Sequence, residues 1–177
     1  SLPDTISSFG IDCFINDNAV TMYIRPVDGY IDDMVYQAKL SGVGIIIIDN
    51  TDVGMNAFSD NSTPQTVIIT GDSDIGDYAS STNTGILTVS VDDSTLIGDY
   101  AFYNCNSMTT FTINGTTEHI GEHAFQSCMA LQSMTLPSTV NYIGSYAFYD
   151  CNSMASINIP DGVEKILSHT FYGRASL

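Results

Sequence analysis

Phe102, Phe125, Phe148 and Phe171 stand 23 residues apart. The same interval separates Ile97, Ile120, Ile143 and Ile166, and again Cys105, Cys128 and Cys151. Met108, Leu131, Met154 and Leu177 hold the next apolar position, followed by Phe111, Met134 and Ile157, then Ile113, Leu136 and Ile159. Counted from the isoleucine, the apolar offsets in each unit are 0, 4, 5, 8, 11, 14 and 16. With the same offsets at a spacing of 22, Ile75 is followed by Ala79, Ile86, Val89 and Val91, and Val53 by Ala57, Phe58, Val67 and Ile69. From Ile31 only Tyr36, Ile45 and Ile47 match. A unit of this length cannot bury a core alone, but stacked units can, so a period of 22–23 residues predicts a solenoid with one coil per repeat.

The offsets also predict what each coil contains. Positions 11, 14 and 16 close on the period-2 alternation of "MTTFTIN", "LQSMTLP" and "MASINIP", which reads as one short strand per coil. Stacked strands then form a parallel sheet. Positions 0, 4, 5 and 8 have helical spacing, so "IGDYAFYNC" and its copies read as a short helical or 3₁₀ turn, with the glycine at offset 1 easing a tight bend. The fold class expected is an α/β solenoid, with sheet on one face and helical turns on the other. Units begin near 31, 53, 75, 97, 120, 143 and 166, the last of them incomplete. Residues 1–30 fall outside the pattern. There, β-prone runs flank Asn16, Asp17 and Asn18, which predicts a capping β-hairpin, followed by a helix from about Gly29 to Leu40. A chain that stops at Leu177 in mid-repeat, without a polar cap, reads as the N-terminal part of a longer array.

The pattern "IGxxAFxxCxxLxxIxIP" resembles the BspA-like, or treponemal-type, leucine-rich repeat, most closely over residues 97–177. That resemblance implies a secreted or cell-surface protein that binds other proteins and serves in adhesion. The ligand expected is a protein, host or matrix proteins among the candidates.

Composition narrows the function classes. The chain of 177 residues has four Lys or Arg against twenty Asp or Glu, a net charge of -16, and 44% apolar residues. The apolar fraction suffices for a core, and the charge repels nucleic acid and anionic membrane surfaces. No apolar run reaches the length of a membrane span. Cys105, Cys128 and Cys151 occupy a core offset, where a free thiol behaves as a small hydrophobe; disulfide pairing of stacked cysteines is the alternative, and three ligands in a line suit zinc poorly. Asp72, Asp74, Asp77, Asp92 and Asp93 cluster in loops but lack the spacing of a calcium loop. Asn61 and Asn114 head N-x-Thr sequons, acceptors only in a eukaryotic secretory setting. His123 and His169 share offset 3 with tyrosines, so no histidine is singled out for chemistry. The expectation is a chain with no catalytic residues, cofactor or metal.

Two surfaces remain as candidate sites. On the turn face, offsets 3 and 6 carry Tyr78, Tyr100, Tyr103, Tyr146, Tyr149 and Tyr172, a row suited to a protein partner. On the strand face, taken as the concave one, offsets 13 and 15 carry Thr88, Ser90, Thr110, Thr112, Ser133, Thr135, Ser156 and Asn158. That strip suits an extended peptide or a glycan. The second reading of function is therefore a carbohydrate-binding module, or an accessory module docked in an enzyme complex.

Overall fold

The computed structural model describes residues 11–16, 19–24, 30–31, 43–63, 65–94 and 96–173. Its strands are β1 Ile11–Asn16, β2 Ala19–Ile24, β3 Tyr30–Ile31, β4 Val43–Asp49, β5 Asp52–Val53, β6 Gln65–Asp72 and β7 Ile86–Asp93. They continue as β8 Leu96–Ile97, β9 Thr110–Ile113, β10 His119–Ile120, β11 Ser133–Met134, β12 Tyr142–Ile143 and β13 Ser156–Ile157. An eight-stranded sheet runs in the order β1-β2-β4-β6-β7-β9-β11-β13. β1 and β2 pair antiparallel, with Asn16 opposite Ala19, and every later pair is parallel. Repeat positions face one another in register, so that Thr66, Thr88, Thr110, Ser133 and Ser156 form one continuous row.

Each coil carries a second short strand that the apolar pattern did not announce. It sits at the repeat isoleucine: β8, β10 and β12 form one ladder, β3 pairs β5, and bridges through Ile75 join Val53 to Ile97. Two residues are too few to alternate visibly in a sequence, so only their burial marks them. Ile75, Ile97 and Ile120 are fully buried.

The expected helical turns are corrected by the structure: no α- or 3₁₀-helix occurs among the described residues. From Val53 on, the segment after each repeat position is a chain of tight turns with positive φ at offsets 3 and 7, between 55° and 61° at every residue but Gly173, which has φ 90°; Asn56 holds offset 3 in the Val53 unit. Tyr78, Tyr100, His123, Tyr146 and His169 hold offset 3, and Asp60, Thr82, Asn104, Ser127 and Asp150 hold offset 7. The hydrogen bonds explain this choice. Tyr100, Phe102 and Asn104 donate their N–H groups to Glu122, Ala124 and Gln126 of the next coil, at 2.9, 2.8 and 2.8 Å. The intervening Ala101, Tyr103 and Cys105 donate to Gly98, Tyr100 and Phe102 of their own coil. A helix would spend every N–H inside its own segment and stand about 10 Å wide. Turns that alternate their donors keep the face at the spacing of stacked strands, about 4.8 Å. Offsets 0, 4, 5 and 8 satisfy either geometry.

Stacking at that distance also revises the reason for the glycines. Gly121 has no positive φ; a Cβ placed there would lie 2.6 Å from the backbone nitrogen of Asp99 in the preceding coil. The glycine row gives close approach of coils, not conformational freedom. Inside, Phe102, Phe125, Phe148 and Phe171 stack ring on ring at 5.3–5.6 Å, and Phe111 packs edge-on against Phe102 and Phe125. Cys105, Cys128 and Cys151 are buried free thiols. Their sulfurs donate to the backbone carbonyls of Ser80, Phe102 and Phe125, one coil back, at 3.0, 3.2 and 3.1 Å. Asn83 holds the same offset and donates to Phe58 O at 2.7 Å, so this position needs a donor and not only a small apolar group. The turn expected at Asp17 and Asn18, the helix expected from Gly29 to Leu40, and Leu177 lie outside the described residues.

Candidate functional site

At offset 3 the left-handed backbone sets one ring per coil in a single file. Tyr78 and Tyr100 lie with ring centroids 4.8 Å apart and planes 2° from parallel. Tyr100 and His123 follow at 4.4 Å, His123 and Tyr146 at 4.8 Å, and Tyr146 and His169 at 4.7 Å, all within 9° of parallel. Beside them at offset 6, Tyr149 stacks on Tyr172 at 5.5 Å, and Tyr103 meets Tyr100 edge-on at 5.7 Å. Gln126 completes this second row, hydrogen-bonded through Oε1 to Nδ1 of His123. Tyr78 and Tyr172 are exposed, and Tyr100, Tyr103, Tyr146 and Tyr149 are half-buried.

A left-handed φ costs a residue other than glycine on the order of 1–2 kcal/mol. An aromatic pair returns about 0.5–1.5 kcal/mol beyond its area burial. Ring stacking therefore offsets much of the strain at offset 3, which accounts for tyrosine and histidine at a position where neither is expected. Stacking also means that each inner ring has both faces covered by its neighbours. What the row presents outward is its edges, hydroxyls and ring nitrogens.

Carboxylates stand directly before three of the rings: Asp77, Asp99 and Glu122. One oxygen of Asp77 accepts the N–H of Asp99 at 2.8 Å, and one oxygen of Asp99 accepts the N–H of Glu122 at 2.7 Å. Burial raises the pKa of the Tyr100 phenol above its ordinary range, and Tyr78, Glu122 and Asp99 push the same way. Tyr149 is raised chiefly by Asp150.

On the strand face, Thr110, Thr112, Ser133, Thr135 and Ser156 are exposed, while Thr88 and Ser90 are half-buried. Two members of that strip are engaged within the fold. Asn158 accepts the N–H of Leu136 and donates to its carbonyl, both at 2.9 Å, replacing ladder bonds beyond β11 and β13. Ser90 Oγ accepts from Asn114 Nδ2 at 3.0 Å. Sequence reasoning missed a further aromatic pair outside these two rows, His119 on Tyr142 at 4.3 Å; its signal was that both residues precede the repeat isoleucine. Among the described residues, no group of three or more His, Cys, Asp or Glu is placed to hold a metal ion. No helix among them is long and apolar enough to cross a membrane.

Residues 95–177 match the family described as BspA type leucine rich repeat region. The structure is similar to the crystal structure of a leucine-rich repeat protein of T. pallidum, with a TM-score of 0.58 over 94% of this chain and 75% of that one. Sequence identity between the two is 19%, so the likeness is one of fold. No curated protein matches the chain.

Proposed function

We propose that this chain, which over residues 95–177 belongs to the BspA-type leucine-rich repeat proteins, serves as a protein-interaction module. Both the repeat family and the solenoid fold are typically non-catalytic. The setting proposed is extracellular or at the cell surface, where proteins with this repeat are often found, and the role is adhesion.

The observation that carries the reading is the ring row. Five half-buried to exposed rings in register, from Tyr78 to His169, give a rigid strip of amphipathic edges, and tyrosine is enriched where proteins meet. The same geometry weighs against a sugar platform on that face, because stacking a sugar needs a free ring face and these are covered by their neighbours. A carbohydrate-binding or enzyme-complex accessory role rests instead on the exposed hydroxyls of Thr110, Thr112, Ser133 and Thr135. Labelled protein applied in parallel to a glycan array and to an array of extracellular matrix proteins separates the two readings. Saturable binding to a matrix protein, competed by unlabelled module, is the outcome expected. Saturable binding to a defined glycan, with none to protein, would overturn it.

A further inference from the structure

Resting on that protein-binding reading, we infer that the ring row from Tyr78 to Tyr146 and the carboxylates beside it form one docking strip. Its occupant is an extended, Lys- or Arg-bearing segment of a partner protein laid along the solenoid axis.

The rings set the first condition. Both faces of the inner rings Tyr100, His123 and Tyr146 are used up in the stack, at 4.4–4.8 Å, so along them a flat apolar partner has no ring face to lie on. The accessible groups are phenol oxygens and imidazole nitrogens, which can accept hydrogen bonds from a Lys ammonium or an Arg guanidinium. Asp77, Asp99 and Glu122 set the second. Each belongs to a different coil and immediately precedes a ring of the row. The backbone N–H bonds to Asp77 and Asp99 hold those two carboxylates in place while leaving them further acceptor capacity, since an ionised carboxylate offers about four lone-pair sites. Bidentate guanidinium contacts need that kind of prior ordering. Charge sets the third condition. With twenty acidic residues against four basic ones, the chain cannot supply the cations itself, and a second copy would be repelled. The three carboxylates span two coil spacings, about 10 Å, which is the length of about three extended residues.

The test must separate docking from plain attraction to an acidic chain. A fluorescein-labelled hexa-arginine peptide is titrated against wild type, against D77N/D99N/E122Q, and against D93N/D161N/E164Q, by anisotropy at 50 mM salt. Both variants lose three negative charges, and every substitution keeps a side-chain oxygen as acceptor. Binding weakened at least tenfold in the first variant and less than threefold in the second is the expected result. Equal weakening would show non-specific attraction and overturn the inference. A further variant, Y100F/Y146F, removes two hydroxyls and leaves the stack intact; an unchanged affinity there would remove the rings from the site. Melting curves for each variant confirm that folding is retained. If a matrix protein binds all variants alike, this strip is wrong while the protein-interaction reading stands.

Discussion

The buried thiols make stability fall in alkali by an amount that can be worked out. Burial pushes the Cys105 thiol from 9.0 up to about 12. Cys128 is likewise pushed up, by burial first and then by the neighbouring thiols of Cys105 and Cys151. A folded-state pKa raised above the unfolded one contributes stability that is whole below the unfolded value and is lost as pH climbs toward the folded value. The window therefore opens near pH 9 and extends to about pH 12. At pH 10.5 the unfolded thiol has released its proton and the folded one retains it, across about 1.5 pH units. At about 1.4 kcal/mol per unit this costs about 2 kcal/mol for Cys105, and Cys128 adds a loss of the same sign. With a urea dependence of about 2 kcal/mol per molar, Cys105 alone lowers the denaturation midpoint by about 1 M between pH 8 and pH 10.5, and Cys128 lowers it further. C105A/C128A provides the comparison, since it lacks both thiols and keeps every tyrosine. Both proteins are unfolded in urea under reducing conditions at the two pH values. The variant starts less stable, having lost two S–H···O=C bonds, yet its midpoint should fall less on going to pH 10.5, by about 1 M or more. An equal loss in the two proteins would refute the reasoning.

Three further outcomes follow from the packing. Gln65 is 1% exposed, sits where other coils place Ile86 or Met108, and has no partner for either side-chain polar atom; Q65M should raise stability by about 1–3 kcal/mol in chemical denaturation. Ser127 has φ 61° at an offset where Gly173, at φ 90°, already serves; S127G should stabilise by about 1 kcal/mol, read as a higher melting temperature. Gly121 has no room for a methyl against the preceding coil, so G121A should destabilise by about 2–3 kcal/mol, whereas G162A, with its nearest neighbour at 3.1 Å, should cost far less.

The stacking of coils was legible because stacking forces the same core shape to recur. A ring at Phe125 must meet rings at Phe102 and Phe148, so the sequence repeats the letter and the eye finds it. The path of the chain between core positions was less legible. Burial at offsets 0, 4, 5 and 8 is common to a helical turn and to a run of tight turns. The deciding signal was offset 7, where all but the β-branched Thr82 (Asp60, Asn104, Ser127, Asp150 and Gly173) are residue types that tolerate turn or left-handed backbone. Tyrosine and histidine at offset 3 concealed it, since rings rarely take that conformation. The candidate surface shared this fate. Its residues could be placed on one row by spacing alone, but covered ring faces depend on the backbone angle that puts each ring directly over the next. Nor does a period reveal that the side chain of Asn158, exposed on the strand face, also clasps Leu136.

The long strands, the short strands and the turn segments all send their inter-coil hydrogen bonds in one direction, along the axis of the stack. Such a molecule is mechanically anisotropic. Tension applied from end to end meets the coil interfaces one after another, so the outermost opens first and the rest follow singly. Each 23-residue coil released in this way lengthens the chain by roughly 75–80 Å, a step that single-molecule stretching can count. Tension across the stack instead shears many bonds at once and should meet far higher resistance. An adhesion module built on this plan would give way gradually when pulled from its ends and hold firm when pulled from its side.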